Sequence, residues 1–125
     1  MNIIGDLEVG NNVIVWGTAT APKTKTTQSG KTVTEFQLVV GVDSNQDKIY
    51  LKITAWEKLA KQFASFIDKH DALTVIGKVV RDDYWTEKNQ RETYAITANR
   101  IMAQQFYGEE AGSSMIPDDD LMNLP

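Results

Sequence analysis

The stretch Ile49-Tyr50-Leu51-Lys52-Ile53-Thr54-Ala55, continuing into Trp56-Glu57-Lys58-Leu59-Ala60, changes its period in mid-run. Up to Ala55 the apolar residues Ile49, Leu51, Ile53 and Ala55 alternate with Tyr50, Lys52 and Thr54, the pattern of a half-buried strand. Beyond it Leu59, Phe63, Phe66 and Ile67 recur at offsets of 0, 4, 7 and 8, one stripe of an amphipathic helix of about three turns. Thr54-Ala55-Trp56-Glu57 has the spacing of a capping box, which predicts a helix start as early as Ala55. Polar residues Asp68 to Asp71 end it.

Working outward, residues 13–18 form a short β-branched run that reads as a strand. Residues 19–31 are polar and carry Pro22, Ser29-Gly30 and the lysines Lys23, Lys25 and Lys31, so they read as a long hairpin tip or a loop. Phe36, Leu38, Val40 and Val42 then mark a period-two strand over residues 32–42, closed by the turn cluster Asp43-Ser44-Asn45-Gln46-Asp47. Two further strands are predicted at 73–81 and 91–101, joined through Asp82–Gln90. Strand, strand, strand, helix, strand, strand is the element order of an OB-fold: all-β with one helix, a five-stranded Greek-key barrel with the helix between its third and fourth strands. The predicted division is an OB-fold domain over residues 1–107 and a disordered acidic C-terminal tail over 108–125, whose first residues have a linker's composition.

Charge follows the same division. The chain has 13 Lys and Arg against 17 Asp and Glu. All of the bases precede residue 108, where they face 12 acids; the tail has Glu109, Glu110, Asp118, Asp119 and Asp120 and no base. A near-neutral body with an acidic tail is therefore hidden behind a net charge of −4. Cysteine is absent, which excludes disulfides, thiolate metal sites and cysteine nucleophiles. His70 is the only histidine and reads as a solvated residue at a helix end, so neither a zinc site nor a histidine-based catalytic constellation is available. Three adjacent aspartates in the tail lack the converging geometry of a metal site. No run reaches the ~20 apolar residues of a membrane helix, and the N-terminus has no secretory pattern. The expectation is a cytoplasmic binding protein, without cofactor or enzymatic activity.

Aromatic placement suggests what is bound. Tyr50 lies on the polar face of its strand beside Lys52, and Trp56 continues that parity. Tyr84 and Trp85 stand among charged residues between the last two strands. A flat ring on a solvent face beside a cation is what base stacking requires, although Tyr and Trp also decorate ordinary exposed sheets. Trp16 faces away from Val13 and Val15, as a base platform, barrel-end packing or a subunit contact. Residues 23–31 have the composition of a cationic finger or of a solvated hairpin tip.

On these residues the chain resembles the bacterial and phage single-stranded-DNA-binding protein family. Ile53-Thr54-Ala55-Trp56-Glu57-Lys58-Leu59-Ala60 is similar to its third strand running into the helix, and Leu73-Thr74-Val75-Ile76-Gly77-Lys78-Val79 to its next strand. Tyr84-Trp85-Thr86 followed by Tyr94 resembles its fourth-to-fifth strand segment; Val13-Ile14-Val15-Trp16-Gly17 and residues 30–40 resemble the first two strands. The resemblance implies sequence-independent binding and protection of single-stranded DNA in replication, recombination or repair. Tyr50, Trp56, and Tyr84 or Trp85 would stack bases, while Lys52, Lys78, Arg81, Lys88 and Arg91 contact phosphates and Lys23, Lys25 and Lys31 grip the strand. It implies a homo-oligomer, dimer or tetramer. Asp118-Asp119-Asp120-Leu121-Met122-Asn123-Leu124-Pro125 resembles the family's acidic tip, which would dock replication or recombination proteins, but it lacks the terminal Phe and follows a shorter linker. That shortness suggests a phage or plasmid source. The competing reading is an OB-fold module for RNA or a protein partner.

Overall fold

The alternation of β-branched and polar residues is realised in strands that curl on themselves. The computed structural model describes residues 1–64 and 72–103. Its elements are β1 (Ile3–Ile4), β2 (Asn12–Thr26), β3 (Thr32–Val42), β4 (Lys48–Trp56), α1 (Glu57–Ala64), β5 (Ala72–Arg81), α2 (Asp83–Asn89) and β6 (Tyr94–Ala103). The sheet order is β1-β2-β3-β4-β6-β5, and β2 pairs with β5 as well. Strands β2 to β6 therefore close a five-stranded barrel, with β4 and β6 its parallel pair. This is the predicted OB-fold.

Closure depends on β2 serving two neighbours. Its first half, Asn12 to Thr18, pairs with β5, and from Thr18 onward it pairs with β3. Gly17 sits at the changeover, where a Cβ would lie 1.7 Å from the Val39 carbonyl oxygen. Only glycine lets the two backbones approach so closely. Inward residues of all five strands, among them Val15, Leu38, Ile53, Val75 and Ile96, form one core. Phe36, Leu51 and Ala55 join it as their parity predicts.

Several expectations are corrected. The segment read as a hairpin tip or loop is mostly strand: β2 runs to Thr26, so Lys23 and Lys25 stand on a ladder opposite Glu35 and Val33. Only the turn from Thr27 to Lys31 remains, held by the Thr27 N–H on the Lys31 carbonyl at 2.8 Å. Val42 is exposed rather than core because a bulge between Val39 and Gly41 breaks the alternation. The strand β4 extends through Trp56 and α1 begins at Glu57, whose φ of 52° marks the strand-to-helix corner. Thr54 thus lies within the ladder and the capping box does not form. The link Asp82–Gln90 contains the helix α2, which was not anticipated, and neither was β1. The side chain of Phe63, together with Phe66, Ile67, His70 and the acidic tail, lies outside what is described.

Candidate nucleic-acid interface

Strand register places the polar-face residues of β2, β3 and β4 in rows, because directly opposed residues share a face of the sheet. Successive rows read Thr18–Val39–Tyr50, Thr20–Gln37–Lys52, Lys23–Glu35–Thr54 and Lys25–Val33–Trp56. Tyr50 and Trp56 stand at opposite ends of this face, six residues apart and hence ~20 Å along the strand. They are 50% and 41% exposed although both belong to a strand whose other side is core. Between them lie Gln37, Lys52, Glu35 and Thr54, a floor of hydrogen-bonding groups. Val33, between Lys25 and Trp56, is buried.

One wall of the floor is α2, which forms for local reasons. Asp82 is its N-cap, accepting the Trp85 N–H on Oδ1 at 3.1 Å, and Gln90 closes it in the left-handed conformation. Thr86 ties it to the chain beyond: its Oγ1 accepts the Thr93 N–H at 2.9 Å and donates to the Thr93 carbonyl at 3.2 Å. The helix presents Tyr84 and Trp85, exposed and edge-to-face with centroids 5.0 Å apart, and Lys88 Nζ lies 5.8 Å from the Tyr84 ring centroid. Between β4 and α2 opens a cleft of about 840 Å³, lined by Tyr50, Lys52, Gln37, Trp85, Arg91 and Tyr94 among others.

The anticipated stacking residues are thus partly gathered. Tyr50 and Trp85 face one cleft, and Trp56 continues the β4 face beyond it. Trp16 lines a separate cleft of about 500 Å³ with Asn2, Thr18, Val39 and Ala72. The cations divide into two kinds. Lys25 and Lys52 both pair with Glu35 at 3.7 Å, Lys52 also lies 3.9 Å from Asp82, and Arg81 holds Asp83 at 2.8 Å and Glu92 at 3.3 Å. Lys23, Lys31, Lys78, Lys88 and Arg91 are exposed and make no ion pair among the described residues. Sequence reasoning missed Glu35, Gln37 and Asp82 as parts of the site. Polar parity on β3 was the available signal for the first two, and the aspartate opening Asp82-Asp83-Tyr84-Trp85 was the signal for the third.

A closed OB barrel with exposed rings and cations on one face belongs to the class of oligonucleotide- and oligosaccharide-binding folds. The sequence model of the single-strand binding protein family matches residues 7–104, and the chain belongs to that family. Members of the family are DNA-binding proteins rather than enzymes and generally form oligomers. The wild-type single-stranded DNA binding protein from Thermus aquaticus is 29% identical with a TM-score of 0.61, over 84% of this chain and 45% of that one. A deletion mutant of the same protein gives 27% and 0.59, over 79% and 44%. The chain therefore spans less than half the length of these two relatives. The second single-stranded DNA binding protein from Mycobacterium smegmatis shares the fold, at 16% identity and a TM-score of 0.60, over 76% of this chain and 89% of that one. No curated protein matches the sequence.

Proposed function

We propose that this protein binds single-stranded DNA without sequence preference, along the β3–β4 face and into the cleft beside α2, and protects it during replication, recombination or repair. The observation that carries the reading is the presence of exposed rings, Tyr50 and Trp56 on β4 and Trp85 on α2, together with cations free of ion pairs among the described residues, of which Arg91 lines the same cleft and Lys88 lies beside Tyr84. Rings stack on bases of any identity, and cations take phosphates at any sequence. The structural relatives from Thermus aquaticus are single-stranded DNA binding proteins, which supports the same reading. The proposed setting is the cytoplasm. Among the described residues no helix is long and apolar enough to cross a membrane.

Self-association is part of the proposal. On the outside of the barrel, register aligns Ile4 with Ile14 and Ile76, and Trp16 with Thr74 and Met102. Ile4 is 60% and Met102 37% exposed, an apolar face that a second copy would cover. The acidic residues Asp118, Asp119 and Asp120 with Leu121, Met122, Leu124 and Pro125 are proposed to contact replication or recombination proteins. Fluorescence anisotropy with labelled oligo(dT), the matching duplex and an oligo(U) competitor tests the function. Tight binding to oligo(dT) with much weaker binding to duplex supports it. Binding to oligo(U) alone, or to neither, favours an RNA or protein partner.

A further inference from the structure

The outer face of β2, β3 and β4 carries a ladder of alternating charge whose last pair, Lys52 and Asp82, lines the cleft and ends on a helix cap. Lys25 meets Glu35, Glu35 meets Lys52, and Lys52 Nζ reaches Asp82 Oδ2 at 3.9 Å. The Asp82 side chain is only 4% exposed, and its other oxygen caps α2 through the Trp85 N–H. A carboxylate so nearly buried requires a countercharge. Among the described residues Lys52 is the only cation in ion-pair contact with it. Thr86 fastens α2 to the neighbouring Thr93, but the Lys52–Asp82 pair fastens it to β4, the strand that carries Tyr50.

We infer that Lys52 is a positioning residue, which holds the capped end of α2 and so sets Trp85 across the cleft from Tyr50, and that it makes no phosphate contact. The inference rests on the single-stranded DNA reading for its functional consequence, though not for its structural part. Lys52 is already committed to two carboxylates and is 30% exposed in its side chain. A phosphate at Lys52 would compete with Glu35 and Asp82 for its charge, whereas Lys23, Lys78 and Arg91 meet a phosphate with no carboxylate in ion-pair contact among the described residues.

The test uses Lys52→Met, Lys52→Arg and Trp85→Ala in the full chain, with two readouts. In the free protein, hydrogen exchange at the Trp85 and Thr86 amides should quicken several-fold in Lys52→Met, remain slow in Lys52→Arg, and leave the β5–β6 ladder unchanged. With oligo(dT), Lys52→Met should weaken binding about five- to tenfold, less than loss of a whole platform, with the slope of log affinity against log salt unaltered. In a Trp85→Ala background the same substitution should cost little more, because both act through one ring. Unchanged exchange at α2 overturns the inference. So does a slope that falls by about 0.7, with losses that add to those of Trp85→Ala, since that is the signature of a lost phosphate contact. If the wild type binds no oligo(dT) while exchange responds as described, the DNA reading fails and the positioning role stands.

Discussion

An indole at position 56 has little to gain from the fold itself. Trp56 is 41% exposed at the last position of β4, so its removal should leave the barrel stable. Trp56→Ala is expected to weaken oligo(dT) binding by ~1–3 kcal/mol, roughly ten- to a hundredfold, with the melting temperature nearly unchanged. A large fall in melting temperature with unaltered affinity would reassign the ring to packing over Val33. Gly17 presents the opposite case. A methyl group there would collide with the Val39 carbonyl, where β2 passes from β5 to β3, so Gly17→Ala should destabilise the fold by about 3 kcal/mol or more in a denaturant titration. The outward placement of Tyr50 was legible because strand parity alone sends it to the solvent face. Glu35 was not, since parity shows that a residue faces outward but not which lysines lie within reach across the ladder.

At the scale of elements, the period change after Ala55 and the alternation in β3, β4 and β5 were legible because each buries one face in the core. The long arm of β2 was not. Lys23 and Lys25 lie beyond the barrel's apolar rows, where β2 pairs with β3 alone, and polar composition there looks like a loop. The helix α2 was hidden because seven residues are too few to show a stripe, and its order comes from Asp82 and Thr86 rather than from apolar burial. Recognising β2 as a strand changes the expectation for its lysines. Lys23→Gln should lower the slope of log affinity against log salt by about 0.7, one phosphate's share for a single strand. Lys25→Gln should lower it less, because Glu35 already neutralises Lys25. Equal effects from the two would show that the strand displaces Glu35 on binding.

For the whole molecule, the net charge of −4 misrepresents the face proposed to bind DNA. On the proposed reading the five carboxylates of residues 108–125, few residues beyond the barrel in sequence, would compete with DNA for its cations within a screening length of ~8 Å at physiological salt. Removing residues 108–125 should preserve the fold and raise affinity for oligo(dT) modestly, most visibly at low salt. Weaker binding at every salt concentration would make the segment part of the site or of a subunit contact. Replacing Ile4 and Met102 with Glu should reduce the mass measured by light scattering if the outer face joins copies. An unchanged mass would leave that face unoccupied.

On the proposed reading, bases stack against tryptophan while exposed cations hold phosphates. Titrating the intrinsic tryptophan emission with oligo(dT) at ~50 mM and ~200 mM salt tests both parts at once. Saturable quenching is expected at the lower salt. With Lys23, Lys31, Lys78, Lys88 and Arg91 each meeting a phosphate, affinity should fall on the order of a hundredfold at the higher salt. Emission that does not change, or quenching whose affinity ignores salt, would contradict it.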